Sequence, residues 1–402
     1  MRYTDVAIVG GGLAGSIAAN MLGRAKISAV LIDPHRVYPS EFRCEKISGG
    51  AQLERFRKTG LADVVLPAAA LDGVNWIARF GWLVDKRPSQ QFGIMYDALV
   101  NIIRQQIPDD IEFIQAKATA VTTSQERQTI LLSNGDMVSA RLVVLANGLN
   151  PGLRHALGIE RRITSPCHCI SIGFDIVPVG RSSFDFPALT YFSERTLHRT
   201  AYVSLFPTEK SMRGNLFVYR QMQDPWLREI RRFPEKALDG CLPKLRRMIG
   251  DYRIASDVKL RSTDLYVTSG HRQHGIVLVG DAFASPCPAT GTGTDKVFTD
   301  VERLCNIHVP NWLTTAGMGE AKIAEFYDDP IKKSCDDWSA REAFRLRSTT
   351  IENSPFWLAQ RWMRFLGRSG EGLVRRAGER LRFRKRVKGV SQRPSEGFSR
   401  PV

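Results

Sequence analysis

The stretch "DVAIVGGGLAGSIAANML" (5–22) constrains this chain most. An apolar run that ends in three glycines and reopens as a small-residue helix reads as strand, tight turn, helix. Gly10, Gly12 and Gly15 hold the G-x-G-x-x-G spacing, and eighteen residues past Gly15 a second apolar run, "AVLID", closes on Asp33. Gly10 permits the turn, Gly12 lets backbone approach a pyrophosphate, and Gly15 lets the helix pack tightly on the strand. Leu13 and Ala14 open the helix, whose free N–H groups and dipole favour a phosphate. Asp33 is expected to accept hydrogen bonds from ribose hydroxyls. The pattern specifies a Rossmann-type dinucleotide site and leaves NAD and FAD both open.

A second stretch bears on that choice. "IVLVGDAFASPCPATGTGTD" (276–295) begins as a buried strand, stops on Gly280-Asp281, and continues through small residues that let a flat ligand lie close. Glycine triplet and GD strand end together resemble the FAD-containing group A monooxygenases. These belong to the para-hydroxybenzoate hydroxylase-like superfamily, which also includes flavin-dependent halogenases and geranylgeranyl reductases. The resemblance implies FAD, with Asp281 on the ribityl chain and Pro288, Gly291, Thr292 and Gly293 along the ring. It also implies Arg43, in "EFRCEKISGG", against the pyrophosphate, and Arg154, in "ANGLNPGLRHALG", in place of the family's DG-motif arginine. Asn147 stands where the DG motif has aspartate, and Tyr96 where many members have an FAD-contacting arginine.

The expected architecture is α/β, with a discontinuous FAD-binding domain, an inserted antiparallel β-sheet substrate domain and a helical C-terminal end. The expected bounds are 1–165 (72–91 joining the substrate domain), 166–265, 266–330 and 331–402. Residues 166–265 carry short alternating strands such as "HRTAYVSLFP" and "GNLFVYRQM", joined by a hairpin loop at "PTEKSMRG". Phe174, Tyr191, Tyr202, Phe206 and Tyr219 share their inward face.

The resemblance implies monooxygenation of a small apolar or aromatic metabolite: NADPH or NADH reduces the flavin transiently, and O2 adds to give a flavin hydroperoxide. The alternatives are a reductase of lipid-like double bonds, a halogenase, or a non-enzymatic flavin-binding protein at a membrane surface. The tryptophans that accompany the halogenase pocket are absent around Phe206-Pro207, and Lys46 reads as a solvated lysine. Residue type and location leave His168, His198, Tyr191 and Tyr202 as candidates for a base, and the sequence does not choose among them.

Seven scattered cysteines argue against a disulfide framework. Cys167 and Cys169 flank His168 without a second ligand pair, so no metal is expected. With no leader before the first strand, a cytoplasmic protein is expected.

The net charge of +16 is local: residues 361–402 hold 13 Lys or Arg against three acids, leaving +6 for the rest. A nucleic-acid partner is therefore not expected. "ENSPFWLAQRWMRFLG" starts a helix at Ser354-Pro355, with an apolar face beside Arg361, Arg364 and Arg368. One reading docks this helix on the FAD domain ahead of a disordered basic end. Another lays residues 354–388 on anionic lipid as a peripheral contact, and binding to an acidic partner is a third.

Overall fold

The computed structural model describes residues 1–208 and 211–390, without the side chains of residues 376 and 378–390. Glu209 and Lys210 of the expected hairpin loop, and residues 391–402 of the basic end, lie outside the described residues.

Two sheets organise the chain. The first contains seven strands, ordered 112–115, 29–33, 2–9, 137–145, 128–132 and 118–122. The strand Met137–Leu145 divides its outer edge. Its first half pairs antiparallel with Gln128–Leu132, and its second half pairs parallel with Ile276–Leu278. That second pairing brings the GD strand end to within one strand of Arg2–Val9, with Met137–Leu145 between them. The helix Leu13–Arg24 is buried along nearly its whole length. Gly15 makes the contact possible, because a Cβ there would lie 1.8 Å from the Gly10 carbonyl oxygen.

The second sheet contains eight strands, ordered 252–254, 160–178, 212–218, 200–207, 188–192, 74–79 and 82–88, with 259–269 also on 160–178. Its pairings are antiparallel except one: Val74–Arg79 runs parallel to Ala188–Phe192, with Asn75 opposite Ala188. Residues 74–88 thus belong to this sheet. The long strand Glu160–Pro178 pairs with Lys259–Ser269 on both sides of residue 165, so the expected boundary at 165/166 falls inside one strand. A small third sheet joins Cys44–Ser48, Gln91–Met95 and Ala70–Leu71 between the two. Each large sheet has its own apolar core.

Two long helices close the chain. Asp329 caps Pro330–Ile351, accepting from the Ile331 and Lys332 N–H groups. Lys332 is fully buried, with Nζ 2.8 Å from Asp300 and 3.0 Å from Asp336. The last helix runs Pro355–Val390, so the segment expected to be disordered continues as helix as far as 390.

That helix packs on the Trp82–Pro88 strand of the second sheet and on Pro330–Ile351, whereas docking on the FAD domain is expected. Phe80 packs against Trp362 and Phe365, Arg375 pairs with Asp85 at 3.4 Å, and a Cβ at Gly372 would lie 2.2 Å from the Val84 carbonyl oxygen. Arg361 donates to the Thr349 and Glu352 carbonyls. The arginine stripe therefore turns toward the protein. Phe356, Met363, Leu366, Leu373 and Val374 face outward, with Val374 75% exposed, and Trp362 packs on Phe80 while staying half exposed. Guanidinium groups find carbonyls and a carboxylate on the protein side, which fixes the face that packs.

Candidate active site

A cavity of about 920 Å³ runs between the two large sheets. At one end it is lined by Gly10, Gly12, Leu13, Ala14 and Asp33, in the middle by Arg43, Asp281, Pro288, Gly291 and Gly293, and at the other by Phe192, Tyr202, Phe206 and Phe217. Of the residues expected to hold a cofactor, Gly15 and Thr292 do not line it. Gly15 serves the helix packing already described. The Thr292 hydroxyl turns away to Ser339 at 2.7 Å and Thr290 at 2.9 Å.

At the dinucleotide end Gly10 has φ +102°, and a Cβ there would lie 2.7 Å from the Ala146 carbonyl oxygen. Only glycine suits both the conformation and the space. Asp33 accepts from the Gly11 N–H at 2.7 Å and the His35 N–H at 2.9 Å, which aims its carboxylate. Arg104, not singled out by the sequence, locks this corner by donating to the Gly11 carbonyl at 2.9 Å while lying 3.4 Å from Asp33.

Tyr96 accepts from the Leu13 N–H at 3.2 Å, so a phenol stands at the helix start. Burial pushes its pKa up to about 12 and keeps it neutral. Arg43 lies over the Tyr96 ring, 3.4 Å from the centroid, and pairs with Glu41 at 2.5 Å.

Further along, the Asp281 carboxylate accepts no hydrogen bond from the described residues, and its backbone carbonyl takes Tyr266 and Arg154. Arg154 is 1% exposed and lies off the cavity wall; it ties the 280–282 turn to Asn150 at 2.9 Å. It is a strut rather than a ligand contact. Asn147 lines the cavity with an unpaired Oδ1.

The glycine-rich turn is clamped from two sides. Gln52 donates to the Gly291 carbonyl at 3.1 Å and to Asp295 at 2.6 Å, and Tyr202 donates to the Ala289 carbonyl at 2.6 Å. Behind it, Asp300 accepts from the Gly280 N–H at 2.8 Å, so the buried Lys332–Asp300 pair supports the GD turn.

The candidate bases separate on this geometry. His168 is fully buried between Ser165 at 3.0 Å and the Ala343 carbonyl at 3.3 Å, away from the cavity. Tyr191 sits in the core of the second sheet and donates to Glu194 at 2.6 Å. His198 lies outside the cavity lining, and burial lowers its pKa. Tyr202 alone lines the cavity, but its hydroxyl is committed to Ala289 and burial raises its pKa. Of the aromatic face, Tyr202 and Phe206 reach the cavity, while Phe174, Tyr191 and Tyr219 fill cores.

Lys46 corrects the sequence reading. It is half-buried in the cavity wall: its Nζ donates to Ser204 at 2.8 Å and lies 5.5 Å from the Phe206 ring centroid. Burial lowers its pKa to about 8. Strand alternation in Cys44–Ser48 puts Lys46 on one face, but only the pairing with a sheet 158 residues away makes that face the cavity wall.

The donor set suits FAD. Glycine backbone and a helix start suit a pyrophosphate, the Asp33 carboxylate suits ribose hydroxyls, the unengaged Asp281 carboxylate suits ribityl hydroxyls, and bare backbone at Gly291 and Gly293 suits a flat ring. Residues 3–307 match the family described as the FAD binding domain. Chloroplastic lycopene beta cyclase from Arabidopsis thaliana is 24% identical over 236 residues, 54% of this chain and 41% of that protein, so the chain spans less than half of that relative's length.

Among solved structures, p-nitrophenol 4-monooxygenase PnpA from Pseudomonas putida DLL-E4 superposes with a TM-score of 0.73 at 16% identity, covering 92% of this chain and 95% of that one. Flavin-dependent brominase Bmp2 gives 0.67 at 17% identity, covering 91% and 94%. The rebeccamycin biosynthetic enzyme RebC gives 0.65 at 16%, covering 92% and 74%. At these identities the likeness establishes a shared fold, a Rossmann-type FAD-binding α/β fold with a second sheet.

Proposed function

We infer the function from one premise: the chain belongs to the FAD binding domain family. We propose that it is a FAD-dependent oxidoreductase, a monooxygenase that hydroxylates or epoxidises a small apolar or aromatic metabolite with NADPH or NADH and O2. The observation that carries this is the continuity of the cavity, from the glycine turn past Asp281 and Gly291 to Phe192, Phe206 and Phe217. A ring held at the glycine-rich turn would face an enclosed aromatic space.

Bound FAD supplies two-electron chemistry toward nicotinamide and O2. The chain's own residues position and shield it. Gly10, Gly12, Leu13 and Ala14 present backbone to the phosphates, and Asp33 and Asp281 accept from sugar hydroxyls. Tyr202 and Gln52 fix the turn on which the ring would rest, and the aromatic wall would shield its reacting face. Halogenation is the second reading, favoured by one observation: a partly buried amine, Lys46, in the cavity wall.

The test is anaerobic mixing of the purified protein with NADPH and then NADH, with and without aromatic and polyene compounds, following the oxidised-flavin band near ~450 nm. Compound-accelerated bleaching is expected. Flavin that stays oxidised with every compound would overturn direct nicotinamide use and favour the halogenase or the lipid reductase. A protein that holds no flavin would overturn both readings.

We also propose that residues 354–388 touch an anionic membrane surface from the cytoplasmic side. The outward apolar face of the last helix supports this, as do eight Lys or Arg between residues 375 and 388 of the sequence. No helix among the described residues is long and apolar enough to cross a membrane. Co-sedimentation with vesicles containing anionic lipid should fall when Trp362 and Leu366 are both replaced by Glu; unchanged binding would sink the idea.

A further inference from the structure

Four arginines in the cavity wall, Arg79, Arg161, Arg261 and Arg364, form no ion pair among the described residues, and two of them, Arg79 and Arg364, repel each other across the same end. Arg79 ends the strand Val74–Arg79, and its guanidinium lies flat on Phe192, 3.8 Å from the ring centroid. Its Nε is sealed from solvent and has no hydrogen-bond partner. Arg364, on the last helix, lines the same cavity, and neither side chain forms an ion pair with any described residue. Glu342 is the acid on this rim, and it is held by Arg345 at 2.5 Å. The neighbouring Arg368 is matched by Glu371 at 3.4 Å.

Resting on the flavoenzyme reading above, we propose that Arg79 and Arg364 form a receptor for an oxyanion, the carboxylate or phosphate end of the substrate. A guanidinium stays charged when buried, so an unmatched one costs free energy that a ligand's negative charge recovers. The stacking on Phe192 holds the Arg79 fork in one orientation before a ligand arrives, which reduces the ordering cost of binding. Planar forks pair with carboxylate and phosphate oxygens in two parallel hydrogen bonds. Burial lowers the Arg79 pKa to about 10, and the repulsion of Arg364 and Arg368 adds to it. Burial also lowers that of Arg364, with Arg345 next. Glu342 pulls the Arg364 value the other way, but its carboxylate pairs with Arg345. Between this end and the flavin turn stand Phe192, Phe206 and Phe217. The substrate class is therefore an apolar or aromatic body carrying an acid at one end.

The nicotinamide nucleotide also carries phosphates, so the experiment has an arm for each source. The FAD-loaded full chain is titrated with benzoate against benzamide and octyl phosphate against octanol, following perturbation of the flavin absorbance band. The acids are expected to bind roughly 10-fold or more tightly than their neutral partners. Arg79→Gln and Arg364→Gln are each expected to abolish that preference and leave the flavin spectrum intact. Because neither arginine holds an acid in the fold, neither variant should melt lower than the parent, and the second covers any failure of the first. In the other arm, the NADPH concentration for half-maximal flavin reduction should be unchanged in both variants. A loss confined to NADPH would assign the receptor to the nucleotide and overturn the substrate assignment. No acid preference in a protein with a normal flavin spectrum would overturn the oxyanion receptor and leave the flavoenzyme reading standing.

Discussion

Replacing Lys46 by Met should make the protein more stable at neutral pH. The Lys46 ammonium is partly buried, forms no ion pair within 4 Å among the described residues although Asp72 attracts it from farther off, and among them donates to Ser204 at 2.8 Å. Its pKa falls from 10.5 to about 8, chiefly through burial. At ~1.36 kcal/mol per pKa unit, holding the charge costs about 3 kcal/mol below pH 8. Met keeps the apolar stem and removes the charge. Losing the Ser204 hydrogen bond returns about 1 kcal/mol. Water in the cavity screens the ammonium further, so a net gain of about 1–2 kcal/mol is expected.

The pH dependence follows with its sign. Between about pH 8 and 10.5 the unfolded chain holds the proton that the folded chain has released, so parental stability rises with pH across that window. The variant lacks this rise, so its advantage is greatest at pH 7 and closes toward pH 10.5. Thermal unfolding of both FAD-loaded proteins from pH 7 to 10, followed by flavin release, measures the gap. A variant less stable at pH 7, or a gap that ignores pH, would refute the argument that burial governs this lysine.

Gly15→Ala places a methyl 1.8 Å from the Gly10 carbonyl oxygen, so it should cost about 1–3 kcal/mol or more and release FAD on gel filtration; parental FAD content would contradict this. Lys332→Met leaves Asp300, 1% exposed, without its cation and should cost about 3–5 kcal/mol. Denaturant melts should show a smaller loss at pH 5 than at pH 8, because a buried, unpaired Asp300 can take up a proton. Asp281→Ala removes a carboxylate that bonds no described residue, so the stability of the FAD-free protein should stay within the ~0.5 kcal/mol typical of neutral changes. Its FAD affinity, by fluorescence quenching, should fall roughly 10-fold for one lost charged hydrogen bond.

What was legible in the sequence was local. The glycine triplet, Asp33 and the GD strand end carry their geometry within a few residues, because turn conformation and helix packing are short-range constraints. Residues 72–91 are expected to join the substrate domain, but nothing in them names the parallel partner of Val74–Arg79 at 188–192. Lys46 was misread because burial at that position comes from a sheet closed by chain far downstream. The bases failed for a related reason: His168 and Tyr191 are typical donors and acceptors by type, but Ser165, Ala343 and Glu194 already occupy them. The last helix revealed its amphipathic period but not its inner face. That choice depended on Asp85, Thr349 and Glu352, which sit where arginines can reach them.

The parallel pairing of Val74–Arg79 with Ala188–Phe192 also sets an order of events during synthesis. The 74–88 hairpin leaves the ribosome with one edge unpaired, and its partner emerges about a hundred residues later. At roughly 5–20 residues per second that edge waits about 5–20 s. We predict that nascent chains stalled before Ala188 are cut by protease within 74–88, and that chains released after Phe192 are protected there. Equal cutting in both would mean that the hairpin finds temporary cover elsewhere. In a cell, then, the interval between two strands makes this stretch the natural landing place for a holding chaperone, because an unpaired edge is what joins one chain to another.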